Sequence, residues 1–150
     1  MRLVVQRVTE ASVRIDGELH NAIGLGLLLL LGVEDEDQQE DADWLVQKVA
    51  NMRIFGDEEG KMNLSVMDKS GEILVISQFT LHASTKKGNR PGFTKSARPE
   101  QAIPLYEYFV EKLKNESALT VKTGIFGADM KVALLNDGPV TILMDSKNKE

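Results

Sequence analysis

The stretch Ala22-Ile23-Gly24-Leu25-Gly26-Leu27-Leu28-Leu29-Leu30-Leu31-Gly32-Val33 decides how the rest of this chain is read. It is the longest apolar run, and its twelve residues, three of them glycine, fall short of the ~20 that a membrane helix needs. A fully buried strand is therefore predicted over Leu25 to Val33. Upstream, Arg2 to Thr9 alternates apolar and polar residues, as a half-buried strand does. Ser12 to Asp16 and Glu18 to Ile23 flank Asp16-Gly17, a strong hairpin signal.

Downstream the period changes. Ala42, Leu45, Val46 and Val49 recur at helical spacing, which predicts a helix over Gln38 to Met52 with Asp37 and Glu40 as its capping pair. A glycine-rich turn, Phe55 to Gly60, leads to a second buried strand over Glu72 to Thr80. From His82 to Arg98 the chain is too polar and too marked by glycine and proline to be regular, and a loop of that length in a compact domain points to function. Pro99 opens a second helix to about Lys114, with Ala102, Leu105, Tyr106, Phe109, Val110 and Leu113 as its apolar stripe and Pro104 near its first turn. Strands near Leu119 to Phe126, Met130 to Asn136 and Val140 to Asp145 finish the chain. With no internal repeat or linker, residues 1–150 are predicted to form one α+β domain built mainly on antiparallel strands with two helices.

The composition of 42% hydrophobic and 27% charged residues is that of a soluble globular protein. There is no cysteine, so no disulfide framework, thiol nucleophile or cysteine-held metal is available. His20 and His82 are the only imidazoles and stand in no metal-binding spacing, so neither a metal nor another cofactor is expected. The start, Met1 to Val8, meets a second charge before any signal-peptide core, and the expected compartment is the cytoplasm, with no membrane partner.

A net charge of −5 argues against coating nucleic acid by bulk electrostatics, and no DNA partner is expected. The charge is unevenly placed, however. Seven acids and no base lie between Glu34 and Asp43, as suits a solvated loop feeding a helix N-terminus. From Ile73 to Pro99 there is no acid, while Lys86, Lys87, Arg90, Lys95 and Arg98 are positive. That pattern fits either a flexible exposed loop or a phosphate footprint.

Two segments break the local pattern. In Ser77-Gln78-Phe79-Thr80-Leu81 an apolar strand runs into hydroxyls and an amide, which face a pocket in some folds and satisfy backbone groups in most. No carboxylate accompanies His82 there to build a Ser-His-Asp arrangement, and His82 reads as a loop histidine. The second, Asn136-Asp137-Gly138-Pro139-Val140-Thr141, reads by spacing as a turn between strands.

Together these two segments resemble the paired signature motifs of the D-aminoacyl-tRNA deacylases, also called D-tyrosyl-tRNA deacylases. The resemblance extends through the N-terminal run Met1 to Val8, Leu31-Gly32-Val33, Asn89-Arg90-Pro91-Gly92-Phe93 and Phe126-Gly127-Ala128-Asp129-Met130. It implies a barrel-like fold, a homodimer with active sites at the subunit interface, and hydrolysis of the ester that joins a D-amino acid to the 3′ end of tRNA. Glycyl-tRNA is the implied second substrate, because glycine has no side chain to exclude.

By the same resemblance Gly138-Pro139 adopts a cis conformation and enters the partner's site as a backbone wall against L-amino acids, a bond that proline makes accessible at ~0.5–1 kcal/mol. Arg7 would hold that turn, Ser77 and Gln78 shape the pocket, and Met130 pack on the adenine. Backbone N–H groups near Phe79 and Thr80 would bind the oxyanion. The proton transfer falls either to the ribose 2′-OH or to Thr80, for which no activating base is visible in sequence. Lys86, Lys87 and Arg90 would contact tRNA phosphates. Two other classes compete: a non-catalytic nucleic-acid-binding module, and a small-molecule esterase indifferent to RNA.

Overall fold

The computed structural model describes residues 1–150. Its central strand is β3, Gly26–Gly32, which lies between the antiparallel β1, Arg2–Ile15, and the parallel β6, Glu72–Ser77. Leu27, Leu29 and Leu31 point to one face and Leu28 to the other, all at most 2% exposed. Both faces are covered, which is why the strand reads as an unbroken apolar run. The full path is β2-β1-β3-β6-β7, with β8 on the other side of β1; β2 is Glu18–Ile23, β7 Val121–Thr123 and β8 Met130–Asp145. β1 pairs antiparallel with β2, β3 and β8, so antiparallel ladders dominate as predicted, while β3/β6 and β6/β7 are parallel.

One face of the sheet packs against two helices, α1 (Gln39–Asn51) and α2 (Pro99–Ser117). Leu3, Val5, Leu27, Leu29, Ile73 and Val75 meet Leu45, Val49, Phe109 and Leu113 there. The other face curls on itself around Val8, Ala11, Val13, Ile23, Leu28, Leu74 and Ile76, giving a nearly closed barrel. The curl depends on β1. Leu3 and Val5 face the helices, whereas Val8, Ala11 and Val13 face the barrel interior, and a register shift between Val8 and Glu10 lets Ala11 and Val13 continue on that side. An extra residue of this kind bends and twists a strand. Closure is completed by side chains: Asn21 Nδ2 donates to the Thr123 carbonyl (2.6 Å) and Lys122 Nζ to that of Ala22 (2.7 Å), joining β2 to β7.

Several boundaries differ from those predicted. Arg2 to Thr9 and Ser12 to Asp16 are one continuous strand, because the apparent break is the bulge. β6 ends at Ser77, and Phe79–His82 form a 3-10 turn instead of continuing the strand to Thr80. The Phe55–Gly60 turn carries β4, Phe55–Gly56, paired with β5, Met62–Leu64. Only Val121–Thr123 of the predicted Leu119 to Phe126 strand pairs. The α1 cap lies one residue later than Asp37 and Glu40: Asp41 accepts from the Gln38 N–H at 2.8 Å. Asp37 is instead buried, accepting from the Glu34 N–H (2.8 Å) and from the Met1 ammonium.

At Gly26 the β3 backbone passes so close to β6 that an added Cβ would lie 1.8 Å from the Glu72 carbonyl oxygen. Only glycine permits that approach. The Asp41 carboxyl is held down to about 2, since burial, which opposes ionisation, is outweighed by hydrogen bonds from the Ser146 hydroxyl, the Gln38 N–H and Lys147. A depressed carboxyl contributes stability above its unfolded pKa and loses it as pH falls through the folded one. We expect denaturation midpoints to drop from about pH 4 to about pH 2, and Asp41→Asn to cost about 2 kcal/mol at pH 7 while flattening that acid limb, as measured by urea melts across pH.

Candidate active site

Strand β6 delivers Ser77 to the edge of the helix-covered face, opposite Leu31. The Gln78 N–H still donates to the Leu31 carbonyl (2.8 Å), and the chain then coils into the Phe79–His82 turn. Ser77, Gln78 and Phe79 form one lip of a cavity of about 320 Å³. Leu31, Val33 and Ile76 line it from the sheet, Ala102 and Tyr106 from α2, and the Phe126–Met130 segment opposite. Four of the predicted site residues, Ser77, Gln78, Phe79 and Met130, are thus brought together.

Few groups here are able to move a proton. The Tyr106 hydroxyl donates to the Val75 carbonyl (3.0 Å), and burial pushes its pKa far above the usual phenol value. Asp129, the one carboxylate on the lining, is exposed and paired with Lys131 at 2.8 Å. The Thr80 hydroxyl accepts from Gln78 Nε2 (2.5 Å) and has no carboxylate or imidazole beside it. His82 is 2% exposed, packs against Gly32, and neither ring nitrogen has a hydrogen-bond partner. It is therefore a buried side chain and not the loop histidine predicted.

The backbone offers more. Ser96 Oγ donates to the Phe79 carbonyl (2.9 Å), pinning the turn to the loop before α2. The N–H groups of Phe79 and Thr80 open the 3-10 turn, where no carbonyl precedes at helical distance, and neither has an acceptor within the chain.

Arg7, Gly138 and Pro139 lie elsewhere. The predicted turn at Asn136 to Thr141 is a wide bulge inside β8: Asn136 pairs with Val8 and Thr141 with Gln6, so four residues on β8 face Arg7 alone. Arg7 fills the gap, Nε donating to the Asp137 carbonyl (2.9 Å) and Nη1 to that of Ile54 (2.6 Å), with the guanidinium 5.9 Å from the Phe55 ring centroid. Val140 N–H donates to Asn136 Oδ1 at 2.7 Å, closing the bulge. Gly138-Pro139 is cis and exposed. Arg7 shares its sheet row with Leu27 and Ile73, whereas Ser77 shares its row with Leu31 and Leu3. The two motifs are thus about 13 Å apart along the strands and about 14 Å apart across them.

Lys86, Lys87 and Arg90 are exposed on the long loop, and neither they nor Lys95 and Arg98 make an ion pair. Ala102 and Tyr106 were not predicted at the site, because an apolar helical stripe reads the same whether it fills a core or walls a cavity; Phe126 was expected to end a strand and was missed as well. Phe93 was also missed; its ring packs edge-on against Phe79 with centroids 5.1 Å apart. A larger open groove of about 740 Å³, lined in part by Arg2, Trp44, Leu81 and Leu143, holds none of the predicted site residues.

Geometry of this kind, a cavity edged by free backbone donors whose one carboxylate is already paired with a lysine, suits hydrolysis of an already activated ester. Comparison with known proteins agrees. The sequence matches the family D-Tyr-tRNA(Tyr) deacylase over residues 4–145. It is 61% identical to the D-aminoacyl-tRNA deacylases of Bacteroides thetaiotaomicron and Flavobacterium johnsoniae, each aligned over 100% of both chains. A solved structure described as the c-Myc DNA Unwinding Element Binding Protein superposes with TM-score 0.91 and 48% identity over 97% of this chain and 98% of that one. A probable eukaryotic D-amino acid tRNA deacylase shares the fold, with TM-score 0.82 and 16% identity over 95% and 97%. The chain belongs to the D-aminoacyl-tRNA deacylase family. It is a hydrolase of that class, and a tRNA substrate follows from the class.

Gly138 has φ +142°, and a Cβ there would lie 2.9 Å from the Val140 nitrogen and 3.2 Å from Arg7 Nη2. Gly138→Ala is therefore expected to lose about 1–3 kcal/mol of stability in urea melts, by straining the bulge that Arg7 holds.

Proposed function

We propose that the enzyme removes D-amino acids from the 3′-terminal adenosine of tRNA, as a homodimer in which each cavity is completed by the Gly138-Pro139 bulge of the partner. The observation that carries this reading is the pair of unsatisfied N–H groups of Phe79 and Thr80 in the turn that leaves the lip of a cavity whose one carboxylate, Asp129, is paired with Lys131. Adenosine enters that cavity with Met130 against the base, and Ser77 and Gln78 shape the opening. The two N–H groups bind the oxyanion formed as water adds to the ester carbonyl, each contributing about 2.7–4 kcal/mol to the transition state. The ribose 2′-OH assists proton transfer, the 3′ oxygen leaves, and free D-amino acid and reusable tRNA result.

Chirality is set by exclusion. The exposed Gly138 and Pro139 present carbonyl oxygens to the substrate ammonium, while their backbone occupies the space an L side chain needs. Glycyl-tRNA passes for want of a side chain, so the enzyme serves translation quality control on both counts. The distance between the two motifs within one chain supports delivery of the bulge by a second copy. So does β8, a sixteen-residue edge strand with Leu135 57% and Leu143 78% exposed.

Matched D- and L-tyrosyl-tRNA distinguish this reading from the alternatives. Turnover of the D-ester alone supports it, stoichiometric binding without hydrolysis would leave a binding module, and equal cleavage of an RNA-free D-amino acid ester would leave a general esterase. Thr80→Ala is expected to retain D-tyrosyl-tRNA deacylation within about tenfold, whereas substrate ending in 2′-deoxyadenosine slows by at least about a hundredfold in single-turnover assays. If Lys86, Lys87 and Arg90 meet phosphates, replacing all three by Ala lowers the slope of log Kd against log salt by about 2 to 3, with single-turnover rates at saturation unchanged.

A further inference from the structure

Phe79 and Phe93 form an exposed aromatic pair where the cavity lip meets the basic loop. Phe79 is 54% and Phe93 37% exposed, although large aromatic side chains usually find burial in a chain this size. Their edge-on contact fixes both rings at once. Phe93 is also anchored from behind: Ser84 and Gly92 exchange both backbone hydrogen bonds (2.8 and 2.9 Å), closing residues 85–91 into a loop and setting Phe93 one residue outside its root. Lys86, Lys87 and Arg90 lie on that loop, and no acid occurs between Ile73 and Pro99 to neutralise them. An exposed ring fixed between a nucleoside-sized cavity and unpaired cations has the makeup of a single-stranded nucleic-acid platform, in which bases stack on aromatics and phosphates meet basic side chains.

We propose that Phe93 stacks the nucleobase next to the terminal adenosine, so that the enzyme grips the unpaired 3′ end of its tRNA by at least two consecutive bases. The inference rests on the deacylase reading of the cavity and extends it by one nucleotide. Phe93 acts in binding and touches no reacting atom, so its loss changes KM and leaves kcat alone.

The test pairs two substrates. D-Tyrosyl-tRNA carries the penultimate base; 3′-O-D-tyrosyl adenosine, the same ester on a lone nucleoside, does not. Phe93→Leu keeps an apolar side chain without a ring, and it should lower kcat/KM on D-tyrosyl-tRNA about five- to 150-fold, the loss of one base–aromatic stack, through KM. Activity on the lone nucleoside ester should stay unchanged, and Phe93→Tyr should restore the tRNA activity. A tRNA with 2-aminopurine at the penultimate position should lose fluorescence on binding wild type and keep it with Phe93→Leu. Equal loss on both substrates would mean that Phe93 merely props Phe79, and no loss on tRNA would mean that it contacts nothing; either result overturns the inference. Failure of wild type to cleave either substrate would instead overturn the deacylase reading beneath it.

Discussion

The organisation of this molecule depends on burying β3 from both sides. Each fully buried leucine contributes roughly 1.5–3 kcal/mol relative to exposure, so a run of them is stable only where both faces are covered. One layer of helices covers the side of Leu27, Leu29 and Leu31. Leu28 needs a second cover, and the sheet supplies it by curling over itself, with β1 bulged to turn the corner. The helical layer and the near-barrel are two answers to the same demand.

That solution also places the chemistry. β6 is held parallel to β3 through the close approach at Gly26, and its C-terminal end emerges where α2 and the Phe126–Met130 segment leave a cavity. Ending the strand there lets the chain coil, and the coil frees two N–H groups that a continuing ladder would have used. On β8 the sheet accommodates four residues opposite one, and Arg7 donates to the Asp137 carbonyl within the interrupted pairing. Both motifs are therefore interruptions of β-pairing, one at a strand end and one within a strand. Each exposes backbone, which is what the proposed mechanism uses.

The electrostatics follow the same division. Acidic residues from Glu34 to Asp43 are spent on structure: Asp37 and Asp41 hold the loop, the helix start and the chain's first and last strands together. Bases at the loop from Lys86 to Arg98 are left unpaired. A chain of net charge −5 thus keeps a positive surface beside its cavity.

The leucine run, the helical stripes from Ala42 and Ala102, and the absence of cysteine were enough to specify an α+β domain, because period and burial are local properties of a sequence. Ser77 to Leu81 and Asn136 to Thr141 stood out as motifs for the same reason. What the tertiary structure decided is everything that depends on a neighbour. The bulge that makes one strand of Arg2–Ile15 is visible only in its pairing with β8, and the turn at Gly138-Pro139 became an insertion within a strand because Val8 and Gln6 on β1 keep the ladder in register on either side of it. Tyr106 packs in the core that its spacing predicted and also lines the cavity, and Phe93 meets Phe79 across the thirteen residues between them. Spacing along a chain records which residues are apolar; only the folded contacts settle which of them end against another side chain and which against space for a ligand.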